Sequence, residues 1–457
     1  MWAFGALAGV VCSSPLITKF GRIRMIIIAD TLALICYAAF LFKSLIILQS
    51  ARVLSGFIAG LGQAIGQITA KELLSRRLVG IGGFLACAIV VCNVLLVFTM
   101  SLLLPESAFV KYWRGFLVLP FPVTLIRLIC FVSLGFDTPK YYFVSEPGES
   151  HARMKAERVV SIIFKDNYVD AKLQEIEDIY SQEKRTGVSI TALLTNQSYR
   201  KRMLTAMAVN ASQQFSGINF LMYYSTDLFN KINHNGKVVT FQMGVVKVVC
   251  AFTAICFINK LGRRLLLSMG LLVQGLSFMS FYILMKIELK NLLIIPIAFY
   301  TGAFAAGIGP LGMIYTTDIL PPKAVGIGLS VQWFFDGVIS KSMPSCLDRY
   351  GPDSLFIFFG ICCFLAFIFI RMYCLESFGK SDLVIAKEFR QLSWKGIFFT
   401  RFEGVQSQHV RDADESVRGD LGDGGSRVNA NQSFELMDDQ RTGQRGDGTG
   451  EIRGDGR

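Results

Sequence analysis

The sequence predicts an all-α membrane protein in which two helical bundles are joined by a polar helical linker. Three observations carry that expectation. Of the 457 residues, 52% are apolar and 18% charged, against roughly a quarter charged in a soluble domain. The polar residues gather in two blocks, 136–202 and 376–457, and the rest falls into eleven apolar stretches, each close to the about 20 residues a helix needs to cross the hydrocarbon. Short motifs also recur in the same order in both halves. This balance excludes a soluble enzyme, a nucleic-acid-binding protein and a disordered chain.

The stretches lie near 2–18, 25–43, 45–69, 81–104, 115–135, 202–228, 238–258, 265–286, 291–317, 325–344 and 354–374. Runs of Leu, Ile, Phe, Val and Ala closed by Lys and Arg can satisfy their backbone in lipid only as helices. Five spans form an N-terminal bundle over 1–135 and six a C-terminal bundle over 202–375. Between them, 136–201 is charged but carries apolar residues at helical spacing: Val159, Val160, Ile162 and Ile163, then Leu173, Ile176 and Ile179. That pattern predicts short amphipathic helices. Residues 376–402 form a juxtamembrane segment. The tail 403–457 is rich in Gly, Asp, Arg and Ser and is predicted disordered. Its three Arg-Gly-Asp triplets, at 418, 445 and 453, read as compositional bias rather than as an adhesion motif.

Basic residues alternate between the two sides. Lys19, Arg22 and Arg24, then Lys71, Arg76 and Arg77, the linker, and Lys260, Arg263 and Arg264 share one side. By the positive-inside rule that side is cytosolic, and the C-terminus with it. The net charge of +12 (46 basic less 34 acidic residues) resides in this membrane part.

The repeat pairs FGRIR at 20–24 with LGRR at 261–264, KELLSRRLVG at 71–80 with TDILPPKAVG at 317–326, and DTPKY at 137–141 with ESFGK at 376–380. Two halves in parallel register are one layout of secondary transporters. The second half has two spans before its LGRR and the first half only one before FGRIR, so symmetry predicts twelve spans of which the first is missing here.

No span carries a catalytic constellation, and neither cofactor nor metal is expected. The 11 cysteines show no CxxC or Cys/His spacing and read as small apolar packers. The three histidines, His151, His234 and His409, fall in loops. What the spans do carry is QQFSGIN at 213–219, followed by Tyr223 and Tyr224. Four amide or hydroxyl side chains within two turns are costly against lipid. Facing a hydrated cavity, they suit a polyhydroxylated ligand, because an amide both donates to and accepts from a hydroxyl.

QQFSGIN followed by YYS, with the ordered GRR motifs, resembles the seventh-helix signature of the sugar-porter family of the major facilitator superfamily, the hexose facilitators and sugar–proton symporters. The likeness runs from residue 2 to about 385. It implies the major facilitator fold, two six-helix bundles (here five and six spans) that expose one central site alternately to each side. By resemblance, Gln213, Gln214 and Asn219 contact sugar hydroxyls and Tyr223 forms an outer gate. Gly307, Gly309, Pro310 and Gly312 match a flexible tenth helix, and QWFFD gives Gln332 and Trp333 cavity roles. Departures stand at the same site. Met313 replaces the family's sugar-packing Trp, Cys87 a fifth-helix Gln, and Lys247 and Asp336 two sugar-binding Asn. Two opposite charges in one cavity predict a Lys247–Asp336 ion pair.

The resemblance also makes Arg22, Arg24, Arg263 and Arg264, with Glu72, Asp318, Asp137 and Glu376, a cytosolic gate. Thr18, Asn259, Val79 and Val325 replace further charged gate positions, which thins the latch and predicts an inward-open bias. The expected function is a non-enzymatic carrier of a small, hexose-like sugar by alternating access and facilitated diffusion. The alternatives are a sugar–proton symporter and a non-transporting sensor or degenerate paralogue. The expected setting is multi-pass in the plasma membrane, as a monomer in the lipid bilayer, with a sugar and in the symporter case protons as partners, and no nucleic acid.

Overall fold

A computed structural model describes residues 1–74, 76–145, 149–165, 168–186, 197–231, 235–380 and 382–391. Among these residues there is no strand. The first half comprises α1 (Trp2–Phe20), α2 (Arg22–Ala39), α3 (Leu45–Leu73), α4 (Arg76–Leu103), α5 (Glu106–Val118) and α6 (Phe121–Leu134). The linker holds α7 (Pro139–Ser145), α8 (Glu149–Ile163) and α9 (Val169–Thr186). The second half comprises α10 (Gln197–Phe215), α11 (Ile218–Lys231), α12 (Gly236–Leu261), α13 (Arg263–Lys286), α14 (Ile294–Ala306), α15 (Ile308–Ile319) and α16 (Pro322–Tyr373), and α17 (Asp382–Gln391) follows.

Five of the expected spans are punctuated differently from the uninterrupted helices read in sequence. The fifth is broken at Leu119–Pro120, where proline withholds its N–H. The stretch 202–228 is broken at Gly217, whose φ is +82°, and 291–317 at Gly307. Conversely, the last two spans run together in α16, which turns only at Gly351 (φ +73°). Irregular backbone at membrane depth is tolerated only where protein or a hydrated cavity satisfies it, so the two breaks at Gly217 and Gly307 mark where such satisfaction must be found.

Close backbone approach holds α1 to α3. A Cβ on Gly5 or Gly9 would lie 2.2 or 2.0 Å from the carbonyl oxygen of Val53 or Phe57. One on Gly56 or Gly60 would lie 2.1 or 2.0 Å from that of Trp2 or Ala6. Small residues at helical spacing on both partners allow this contact; Gly56 and Gly60 are legible as such a face, one turn apart. The halves meet through α1 against α16 and α4 against α12.

The linker has its own small core. Phe143 from α7, Ala152, Ala156 and Val160 from α8, and Leu173 and Ile176 from α9 pack together, with Phe164 and Tyr180 alongside. Ile162 and Ile163, expected on the buried stripe, are 61% and 40% exposed, so the stripe is narrower than the apolar pattern suggests. In α17, Ile385 and Phe389 are buried, and the helix packs on α10 and α15. The rest of the expected juxtamembrane segment, from 392, and the whole tail lie outside the described residues.

One ion pair inside the first bundle has no counterpart in the sequence reading. Asp30 in α2 is fully buried and takes Arg127 Nε of α6 at 3.0 Å, with Arg127 Nη2 on its other oxygen. Removing one partner leaves an uncompensated charge in a low-dielectric setting, at a cost of about 3–5 kcal/mol, whereas replacing both is far milder. Arg127→Leu is therefore expected to lower the unfolding temperature of the detergent-purified protein clearly, and Asp30→Asn/Arg127→Leu to restore most of the loss in the same melt.

Candidate functional site

The break between α10 and α11 and the break between α14 and α15 lie against each other, and side chains tie them. Gln213 Nε2 donates to the Gly309 carbonyl at 2.7 Å. Tyr300 Oη donates to the carbonyl of Ser216, just before Gly217, at 2.8 Å. Gln213 is 5% exposed, and its Oε1 has no hydrogen-bond partner. That oxygen would lie 3.5 Å from a Cβ placed on Gly312. Asn210, one turn earlier on α10, donates to Thr316 Oγ1 at 2.6 Å and leaves its own Oδ1 unpartnered on the same glycine. Two acceptor oxygens thus converge on Gly312, 3.5 and 3.9 Å from where a Cβ would stand.

The other signature amides form a chain. Asn219 Nδ2 donates to Gln214 Oε1 and to Asp336 Oδ1, each at 2.5 Å. Asp336, 3% exposed on α16, also receives Ser340 Oγ at 3.4 Å and the Tyr223 hydroxyl. Gln332 is buried and its Oε1 is unpartnered. Trp333 donates Nε1 to Gln63 Oε1 at 2.7 Å, while Gln63 Nε2 points at Met313 Sδ. Gln63 comes from α3, so this amide links the two halves across the site. Tyr223, expected as an outer gate, is 53% exposed. Cys87 is half-buried on α4.

The expected Lys247–Asp336 ion pair is not formed. Lys247, 7% exposed on α12, donates Nζ to Met222 Sδ at 3.2 Å and lies 5.4 Å from the Phe304 ring centroid. Asp336 is served by neutral donors instead. The family resemblance placed both charges at one site but could not give their separation.

At the basic end the repeat appears as geometry. Gly21 (φ +92°) and Gly262 (φ +75°) precede Arg22 and Arg263, which open α2 and α13. Asp137 accepts the backbone N–H of Arg22 (3.0 Å) and Ile23 (3.1 Å). Glu376 does the same for Arg263 (2.9 Å) and Arg264 (3.0 Å). Each acid satisfies two of the free donors of a helix N-terminus and meets its positive dipole end. A Cβ on either glycine would strike that acid, 2.3 Å from Asp137 Oδ2 and 2.7 Å from Glu376 Oε2.

The arginine side chains repeat the match. Arg22 makes two bonds to Glu72, at 2.9 and 2.7 Å, and Thr138 Oγ1 donates to the same carboxylate. Arg263 Nε lies 2.7 Å from Asp318 Oδ2, and Ser377 Oγ donates to Asp318 at 2.9 Å. Burial pushes the Asp137 carboxyl above its ordinary range, against the pull of the backbone N–H groups and of Arg22. Two of the expected gate residues differ. Arg24 is exposed and enters no ion pair among the described residues; Arg264 turns its Nη2 to the Arg371 carbonyl.

The two halves touch at this end. Lys71 Nζ donates to the Thr317 carbonyl at 2.8 Å, and a Cβ on Gly326 would lie 2.4 Å from the Val10 carbonyl. Lys71 and Glu72 from the first half, Lys172 and Ile176 from α9, and Thr317 and Val325 from the second half line one small cavity there. The structure is therefore closed where an inward-open bias was expected: neutral Val79 and Val325 remove charge, but carbonyl acceptors and close helix packing hold the halves together.

Because Arg22 and Arg263 are both about 95% buried, Glu72→Ala and Asp318→Ala each strand a buried cation. Each is expected to cost about 3 kcal/mol or more, read as matched losses in thermal unfolding. A loss confined to one half would contradict the equivalence of the two clusters.

Similarity to known proteins agrees with this architecture. The family model described as sugar (and other) transporter matches residues 1–389. The facilitated glucose transporter member 5 of solute carrier family 2 from Pongo abelii is 24% identical over 412 residues, 86% of this chain and 80% of the relative. A facilitated trehalose transporter Tret1-2 homolog from Drosophila sechellia is 25% identical over 82% of this chain and 78% of its own. Among solved structures, the proton:xylose symporter XylE bound to 6-bromo-6-deoxy-D-glucose superposes with a TM-score of 0.74 at 18% identity, covering 85% of this chain and 87% of XylE. With its all-α bundles, apolar spans and repeated motifs, the chain belongs to the sugar (and other) transporter family and is an integral, multi-pass membrane protein of the major facilitator fold.

Proposed function

We propose that this protein carries a small, hexose-sized sugar-like solute across a membrane by alternating access, down its gradient and without covalent chemistry. The observation that carries the reading is the Gln213 amide. Its Nε2 braces the broken helix at Gly309 while its Oε1 stays buried and unpartnered. A buried polar atom without a partner costs about 1–3 kcal/mol, and a sugar hydroxyl repays that cost. Asn210 Oδ1 and Gln332 Oε1 add two more such acceptors. The relatives named as glucose and trehalose transporters support the same solute class.

In this reading the end bearing α7–α9 and the chain's C-terminus face the cytosol, in the plasma membrane, and one copy suffices. The solute leaves when contacts such as Lys71 to Thr317 open. Gln213, Gln214, Asn219, Gln332 and Trp333 hold hydroxyls or pack on the ring, Met313 and Gln63 line the wall between halves, and Tyr223 covers the outer side. The two arginine–carboxylate clusters fix the inner ends of the helices.

Uptake of labelled sugars into proteoliposomes, with and without an imposed proton gradient, tests this. The expectation is saturable, gradient-independent uptake, with Gln213→Ala raising the half-saturating concentration about ten-fold, equal to about 1.4 kcal/mol. Uptake that needs the proton gradient would make it a symporter. Sugar binding without uptake would make it a sensor.

A further inference from the structure

The central site holds a buried cation that the protein leaves uncompensated. Lys247 lies near the middle of α12, 7% exposed. Its ammonium has three donors, and among the described residues its contacts are a thioether, a weak acceptor, and the face of Phe304. Among the described residues no carboxylate lies within ion-pair distance. An unpaired charge near the middle of a membrane-spanning helix is costly. Asp336 is in the opposite condition, receiving Asn219, Ser340 and Tyr223. The site's unmet charge is therefore positive.

Lys247 is continuous with the amide cluster. Met222 lies one turn beyond Asn219 on α11. Phe304 abuts Gly309, where a Cβ would lie 2.7 Å from Phe304 Cε1, and the Gly309 carbonyl is the one that Gln213 holds. Met222 and Phe304 are thus the two side chains shared between the surroundings of the ammonium and the amide-bearing helices.

We propose that the solute is a sugar acid, a polyol bearing one carboxylate, and that Lys247 is its counter-ion. One carboxylate matches one ammonium. A phosphate monoester would bring a charge of about −1.5 to −2 at neutral pH into a site that already holds Asp336. The inference rests on the carrier reading above and specifies its solute class.

The test uses the full-length protein in proteoliposomes held at zero membrane potential, with labelled glucuronate and labelled glucose, and glucose 6-phosphate as a third competitor. Glucuronate is expected to enter and to compete at a concentration at least ten-fold below that of glucose. Lys247→Asn should reverse this ranking, and Lys247→Arg should keep it. Should neither variant be recovered folded, the wild-type competition decides alone. Glucose uptake that glucuronate does not inhibit would overturn the sugar-acid assignment and leave the carrier reading standing, and stronger competition by glucose 6-phosphate would overturn the single-carboxylate claim. If no sugar enters or binds, the carrier reading fails and this one with it.

Discussion

Two broken helices that brace each other govern the rest of this structure. Within a bilayer a chain cannot leave backbone groups unsatisfied, yet α10–α11 and α14–α15 both interrupt their ladders, at Gly217 and Gly307. Each break is met by a side chain from the other: Tyr300 on the Ser216 carbonyl and Gln213 on the Gly309 carbonyl. Because Gln213 uses only its donor end in this brace, its acceptor end is left facing Gly312. One end of this amide meets the structural need of the break and the other remains an unpartnered buried acceptor.

The basic end works by a separate and more regular device. In each half a left-handed glycine turns the chain into a helix whose first N–H groups are capped by an acid from a distant segment, while the following arginine is clamped by a second acid. The cap is local helix chemistry and the clamp is long-range, so the two together tie the start of α2 to the end of α3 and the start of α7, and the start of α13 to the end of α15 and the segment before α17. Between the halves, at the same end, Lys71 Nζ donates to the Thr317 carbonyl.

Much of this was legible in the sequence, for physical reasons. Apolar length identifies most of the spans: among the described residues eight helices are long and apolar enough to cross a membrane, the last covering two of the eleven expected stretches, while 25–43 and 202–228 fall short of that measure. Acids and arginines at matched spacing in two halves announced the paired clusters, because a repeat constrains position as well as composition. Other features were silent. Gln63 is one of three glutamines on α3 with no signature around it, and its bridging role appears only when Met313 and Trp333, about 250 or more positions later, fold onto it. Asp30 and Arg127 stand 97 positions apart, each looking like an isolated charge. The Lys247–Asp336 pairing failed for the converse reason: the family resemblance put both charges at one site, but it could not show that Asp336 is served by neutral donors on Asn219 and Tyr223.

The central claim is that the turn carrying Gln213, Gln214 and Asn219 opens onto the solute. A cryo-electron microscopy map of the protein in a lipid nanodisc, saturated with its transported sugar, tests this most directly. The account predicts density for the sugar between the α10–α11 break and Gly309–Gly312, with a ring hydroxyl on Gln213 Oε1. Density elsewhere, with that oxygen closed off by a protein donor, would contradict it.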